Sequence, residues 1–235
     1  MKNSINRYIA ESVAVPHRVF AFCGVFNTVL ASAAVITGLY ATKMSVIYEP
    51  LSRIALAAFG WLVTSGFLLT SLAMLAVAGV LHFGGGKHLS FSLGSKLLAL
   101  VGILFIVFSI CKINPNPAIP TITGLIHIAA AGAACGLFPL CCFLVAHGLA
   151  KIKKAKRLFL YTLATGILGV LALLIRIIPA WSQLFGVQEL VGGTNALIWT
   201  GVISAYFLKS HPLHFPSAHR QPPSARGQYI KLPPS

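Results

Sequence analysis

The sequence predicts an all-α fold, a polytopic integral membrane helical bundle with about six transmembrane helices and both termini cytoplasmic. Charged residues make up 9% of the chain and the mean hydropathy is +0.86, whereas a soluble domain is about 25% charged. The acidic residues are only Glu11, Glu49 and Glu189, against 18 basic residues. Apolar runs long enough to cross a bilayer recur about six times. The lipid bilayer is therefore the first partner that the sequence predicts.

Each helix is predicted from an apolar run that lacks the alternation of a strand. Crossing the hydrocarbon takes about 20 helical residues, whereas a barrel strand has about ten alternating ones. In chain order the runs are 18–41, 53–82, 94–111, 121–148, 157–179 and 187–208. Residues 1–17 are predicted to be a cytoplasmic N-terminal segment. Residues 209–235 are rich in proline and have no apolar period, which predicts a disordered basic cytoplasmic tail.

Helix breakers separate the runs and support this count. Three glycines at 84–86 follow the second run, and an Asn-Pro-Asn-Pro turn at 114–117 precedes the fourth. Proline lacks an amide donor and disfavours helix at the residue before it. Pro139 lies inside the fourth run and predicts a kink. The same run has Gly132 and Gly136 four residues apart, which predicts close helix contacts and a central position.

The distribution of basic residues predicts the orientation. With six crossings, 14 of the 18 basic residues fall on the side of the N-terminus, and the 151–157 cluster is the densest. Basic loops stay in the cytoplasm, so we expect both termini there and the protein in the cell inner (cytoplasmic) membrane. Nucleic acid is not a predicted partner, because the basic residues are spread over loops without an aromatic reading surface.

Polar side chains at membrane depth are costly and are therefore candidates for function. They concentrate toward the predicted non-cytoplasmic end of the bundle. The candidate ligand-binding residues are His127, Arg176, Glu189, Arg53, Asn195, Tyr48, Asn114 and Asn116. The two arginines are suited to a carboxylate or phosphate, and Glu189 to pairing with either. Structural alternatives stay open: arginines that reach the headgroups, Glu189 at a helix start, and His127 or Asn195 bonded to a neighbouring helix.

A group of short motifs resembles a known family. The chain reads Tyr48-Glu-Pro50 before the second run, Phe59-Gly60-Trp61 within it, and Gly124-Leu-Ile-His127 at the start of the fourth. With the proline-rich turn, this pattern resembles the prokaryotic membrane family called domain of unknown function 998, over most of 18–208. The resemblance implies the helical membrane fold and points to His127, but it implies no reaction. Members often carry an Asp in the proline-rich turn, where this chain has Asn114 and Asn116.

We predict a non-enzymatic bundle that binds or moves a small amphiphile or lipid through an outer-facing polar pocket, with no catalytic residue, metal or cofactor. One alternative is a redox protein that holds haem between His82 and His147, at the cytoplasmic ends of their helices. An intramembrane hydrolase is another, although the chain has no Asp for a triad and few zinc ligands. The last is a structural or regulatory membrane partner, with a homo-oligomer left open.

Overall fold

The computed structural model of the chain describes residues 2–47, 49–84, 88–116, 119–178 and 184–209. Side chains are described from Pro16 onward within those ranges, except at Lys153, Arg176 and Ile177. The helices are α1 (Lys2–Thr42), α2 (Leu51–Ile54), α3 (Gly60–Gly84), α4 (Leu89–Ile110), α5 (Ile122–Leu149), α6 (Lys156–Ile177) and α7 (Phe185–Lys209), with a 3₁₀ turn at Lys153–Ala155. The described ranges contain no strand. The predicted tail at 209–235 lies outside them, apart from Lys209.

Six helices of the described chain are long and apolar enough to cross a membrane. They are Pro16–Thr42, Gly60–Gly84, Leu89–Ile110, Ile122–Leu149, Lys156–Ile175 and Phe185–Lys209. Large apolar side chains cover their outward faces, including Ile36, Ile110 and Ile122. An apolar surface of this extent belongs in contact with lipid rather than water. The prediction of a polytopic helical membrane bundle is therefore confirmed.

The structure differs from the predicted helix over 53–82, because the chain forms two helices there. The four-residue α2 ends at Ile54, and the amides of Leu56 and Ala57 bond carbonyls three residues back, each at 3.0 Å. The helix resumes at Gly60, where a Cβ would collide with the backbone of Ala55. Only a glycine permits this close approach. The break places Arg53 on the short α2, outside the helix that crosses the membrane.

The six long helices form a closed ring in chain order. Along the chain, α1 packs against α3, α3 against α4, α4 against α5, α5 against α6, and α6 against α7. The ring closes because α7 also packs against α1. In addition, α3 contacts α7 across the ring. This contact leaves α1 outside a smaller ring of five helices, α3 to α7. The short α2 lies against α3 and α7 at one end of that smaller ring.

Small residues bring some helices close together, but not where the sequence suggested. On α4, a Cβ at Gly94 would lie 3.0 Å from Val145, and one at Gly148 of α5 would lie 2.8 Å from the Phe91 ring. Around Gly132 and Gly136, by contrast, no heavy atom lies within 4 Å of a built Cβ. The α5 helix is therefore one member of the ring rather than its centre. Its close contact with α4 is made nearer its C-terminus.

A buried tryptophan fills the five-helix ring toward the C-terminal end of α7. Trp199 is fully buried, and its indole Nε1 donates to the hydroxyl of Thr162 on α6 at 3.2 Å. Its ring meets that of Phe138 edge-on, with 5.6 Å between the ring centroids. These two aromatic side chains pack against each other inside the bundle.

Candidate ligand-binding cavity

A cavity of about 80 Å³ lies inside the five-helix ring. The aromatic part of its wall consists of Phe67, Phe105, Phe108 and Phe138. Leu51 and Leu173 also line the cavity, and small side chains of α5, α6 and α7 complete the apolar wall, namely Ala131, Ala134, Gly169, Ala172, Gly192, Gly193 and Ala196. Because α5 and α7 present alanine and glycine to each other here, they leave a gap that larger side chains would fill. The cavity thus exists because of the small residues, and it has room for several water molecules or a small organic group.

The polar part of the wall comes from three helices. It consists of Ser52 on α2, His127 and Cys135 on α5, and Gln188 and Glu189 on α7. His127 lies near the start of α5, as Glu189 lies near the start of α7, so the polar groups occupy the end of the bundle where these helices begin. The sequence placed its polar candidates at this same end. The structure brings two of them, His127 and Glu189, into one cavity.

His127 is held by the end of α4 through one ring nitrogen. Its Nδ1 lies 2.8 Å from the carbonyl oxygen of Phe108 and 2.7 Å from that of Cys111. A carbonyl oxygen only accepts, so Nδ1 carries a hydrogen and donates to both. The last carbonyls of a helix lack partners within it, so His127 caps α4. In the neutral ring Nε2 is then a bare acceptor, and within the described chain it has no hydrogen bond.

Glu189 attaches α2 to α7. Its carboxylate accepts from the backbone amide of Ser52 at 3.0 Å and from the Ser52 hydroxyl at 3.1 Å. A helix of four residues cannot satisfy its own first amides, and a negative side chain at a helix start is favourable. Glu189 thus holds α2 over the end of the cavity. An ionised carboxylate offers about four lone-pair positions, so acceptor capacity remains after the two bonds to Ser52.

Gln188 lines the cavity and carries an unpaired buried polar atom. The side chain is 2% exposed, and its Nε2 donates weakly to the sulfur of Cys135 at 3.8 Å. Its Oε1 is buried without a hydrogen-bond partner. If the side-chain amide were rotated by 180°, its NH₂ group would be the unpaired group instead. Leaving a buried amide oxygen unpaired costs about 1–3 kcal/mol. Among the described residues that line the cavity, Gln188 is therefore the one with a buried polar atom that lacks a partner.

The family comparison covers nearly the whole helical region. The model of the family described as "Protein of unknown function (DUF998)" matches residues 15–206. The chain belongs to this family. The suspected resemblance is thereby confirmed, and the chain is a multi-pass membrane protein of a family whose description assigns no activity. No curated protein and no solved structure matches the chain.

Arg53 and Asn195 do not line the cavity of this DUF998 chain. The Arg53 side chain is 46% exposed, and its Nε lies 3.4 Å from Oε2 of Glu49. The expected pairing of Glu189 with Arg53 is not what the structure shows, since Glu189 is bonded to Ser52. Asn195 donates from Nδ2 to the Thr165 carbonyl at 3.0 Å. Asn195 therefore links α7 to α6, which is the structural alternative of a hydrogen bond to a neighbouring helix.

The remaining candidates lie in the outer connections. Asn114 accepts from both the amide and the hydroxyl of Thr121, the N-cap residue of α5. Asn114 therefore shapes the turn before α5 and does not line the cavity, and Asn116 is exposed in the same turn. Tyr48 and the side chain of Arg176 lie outside the described residues. Ligand binding by any of the eight candidates stays a prediction.

The alternative cofactor sites are not assembled in the described DUF998 chain. His82 and His147 are exposed at the ends of α3 and α5, and α4 lies between those two helices. Among the described residues no three His, Cys, Asp or Glu side chains are grouped as metal ligands would be. The haem and zinc-hydrolase alternatives therefore receive no support from the arrangement of these side chains.

Sequence reasoning missed Gln188 and Ser52. Gln188 is a polar residue in the first turn of a helix that then reads Gly192-Gly193, and a polar group beside small residues inside a span is a usable signal for a cavity. Ser52 gave no comparable signal. Its role depends on the short α2 and on a bond to a residue 137 positions away.

Proposed function

We propose that this membrane bundle binds a small amphiphile in the cavity, with the polar head of the ligand at His127, Gln188 and Glu189. The apolar part of the ligand then contacts the phenylalanine wall. The single observation that carries the proposal is that Gln188, a residue that lines the cavity, has a buried Oε1 without a hydrogen-bond partner. A ligand that donates a hydrogen bond to this atom would supply the partner that the protein does not.

The chemistry of the wall favours a ligand that donates hydrogen bonds. In the neutral ring His127 Nε2 is an acceptor, as are Gln188 Oε1 and the Glu189 carboxylate, and no lysine or arginine is among the described residues that line the cavity. Arg53, one of the two arginines that suggested a carboxylate or phosphate, is not among these residues, and such a ligand would meet only acceptors in the described wall. We therefore infer that the head group is an alcohol, an amide or an amine.

The arrangement supports binding over catalysis or passage. The Ser52 hydroxyl donates to Glu189 rather than to a histidine, and Nδ1 of His127 is bonded to backbone carbonyls. A nucleophile activated by a histidine base needs a direct hydrogen bond between the two. Phe138, in the cavity wall, packs edge-on against the buried Trp199. This packing supports a pocket that holds its ligand rather than a channel.

A series of six-carbon probes with different heads tests the proposal. We expect hexanol and hexylamine to raise the melting temperature of the purified protein in detergent, while hexanoate does not. Gln188→Leu should weaken hexanol binding about tenfold, the effect of roughly 1.4 kcal/mol. The same substitution should leave the ligand-free protein equally or more stable, because it removes an unpaired buried polar atom. A purely structural Gln188 would give the opposite result, with a less stable protein and unchanged binding.

A matched pair of glycine variants controls for effects of the probes on the detergent. A Cβ at Gly193 or at Gly132 meets no heavy atom within 4 Å, but Gly193 lines the cavity and Gly132 does not. Gly193→Leu should abolish the response to hexanol, and Gly132→Leu should retain it. Equal responses in the two variants, or stabilisation by hexanoate as strong as by hexanol, would contradict the proposal.

A further inference from the structure

A second concave surface lies at the opposite end of the bundle, between the start of α6 and the last turns of α7. It is lined by Lys154, Lys156, Arg157, Leu158, Tyr161, Val202 and Tyr206. We call it the basic groove. It shares no residue with the cavity described above, and any ligand that it holds is independent of the proposed function.

The positive charges of the basic groove are not neutralised by the described part of the protein. Lys154, Lys156 and Arg157 are exposed, and none has an ion pair with a described side chain. Glu49 and Glu189 lie at the other end of the bundle, and the first turn of α6 contains no acidic residue. Basic side chains in a first turn oppose the helix dipole. The groove therefore favours an anion.

The polarity of the groove changes with depth. The three cations occupy its rim at the start of α6. Tyr161 lies five residues further along α6 and Val202 seven residues before the end of α7, which is about 7–10 Å deeper at 1.5 Å per residue. Both helices are membrane spans, so the deep end faces the hydrocarbon of the bilayer. An ion from solution would use only the rim, whereas a phospholipid matches both the cationic rim and the apolar depth.

We propose that the basic groove is a binding site for an anionic phospholipid of the surrounding leaflet. The lipid phosphate lies among Lys154, Lys156 and Arg157, and one acyl chain runs down the groove past Tyr161 and Val202. Basic pockets between transmembrane helices are suited to anionic headgroups. By the predicted orientation this leaflet is the cytoplasmic one, but the site itself does not depend on which side it faces.

The test compares lipids that share their acyl chains. We expect phosphatidylglycerol to stay bound to the purified protein in native mass spectrometry and to raise its melting temperature, while phosphatidylcholine does neither. Inorganic phosphate and glycerophosphoglycerol, which has the headgroup without chains, should have no effect at equal concentration. Replacing the three cations together (K154Q, K156Q and R157Q) should weaken phosphatidylglycerol binding roughly fivefold per charge, on the order of 100-fold in total.

Two controls separate a built site from general attraction. The triple variant R18Q, K96Q and K112Q removes three exposed cations elsewhere on the described chain, with the same change in net charge, and should bind phosphatidylglycerol nearly as wild type does. Val202→Trp keeps every charge but obstructs the deep end of the groove, and should weaken binding. Equal losses in the two triple variants would overturn the proposal, as would stabilisation by the free headgroup as strong as by the lipid.

Discussion

At the scale of single residues, the central cavity is distinguished by a lining residue that has an unpaired buried polar atom. In the described chain, His17, Gln188 and Ser204 have buried side-chain atoms without hydrogen-bond partners. His17 is packed against Gly84 and the Phe207 ring. Gln188 alone of these three lines the central cavity. A side chain that lines a cavity can turn its unpaired atom toward a ligand, whereas one enclosed by packed side chains cannot.

Gly124 is required by the turn that precedes α5. A Cβ there would collide with the Asn114 side chain, which accepts hydrogen bonds from Thr121. Gly124→Ala should therefore displace Asn114 and destabilise the protein by about 1–3 kcal/mol. Gly132→Ala on the same helix should be neutral or stabilise by up to about 1 kcal/mol, because the site is open and alanine favours helix. Unfolding both variants in a denaturing detergent measures the difference. Equal stability losses would contradict this role for Gly124.

The sequence identified His127 as a candidate residue but did not predict its hydrogen bonds. A histidine inside an apolar run is conspicuous because burying it is costly, so its placement in a protein interior could be predicted. Its partners could not, because the carbonyls of Phe108 and Cys111 lie on another helix and every residue has a carbonyl. Arg53 was similarly conspicuous, yet its exposed position depends on where α2 ends. Polar residue type thus identifies candidates, and the tertiary packing decides which of them share a cavity.

At the scale of elements, the short α2 depends on a contact far away in sequence. Leu51 and Ile54 bury its apolar side, and Glu189 satisfies the amide and hydroxyl of Ser52. The run from Ala55 to Phe59 contains no proline or glycine, so nothing local marks the break before Gly60. Its apolar character predicted a continuous helix over 53–82 for that reason. The interruption is instead set by tertiary contacts.

Two glutamates at the same end of the bundle give a matched test of the α2 attachment. Glu189→Gln should destabilise the protein by about 1–3 kcal/mol, because a carboxylate that accepts two hydrogen bonds becomes a neutral amide. Glu49→Gln removes only the exposed pair with Arg53, and such surface pairs contribute about 0–1 kcal/mol. Thermal unfolding of both variants measures the difference. A larger loss for Glu49→Gln would show that α2 is held mainly by its exposed side.

At the scale of the whole molecule, the two ends of the bundle differ in chemistry. One end has an acceptor-lined cavity under α2, and the other has the cations of the basic groove. Composition predicted the number of spans, because apolar length is a local property. The ring order of the helices could not be predicted, because the spans have similar apolar faces and only tertiary contacts distinguish their neighbours. The α3–α7 contact, which encloses the cavity, is such a contact.

Cysteine labelling tests the orientation that the basic residues predict. Asn116→Cys and Ala150→Cys place thiols at exposed positions in connections at opposite ends of the bundle. In a Cys111→Ser background, we expect a membrane-impermeant maleimide to label position 116 in intact cells and position 150 only after the membrane is opened, since the basic 151–157 segment should be cytoplasmic. The background protein without either new cysteine gives the blank for the native thiols that remain, of which Cys141 and Cys142 are buried and Cys23 and Cys135 are partly buried within their helices. Labelling of position 150 in intact cells, with position 116 protected, would reverse the orientation. The ligand cavity would then open toward the cytoplasm and the basic groove toward the outer leaflet, while the contacts that define each site would stay the same.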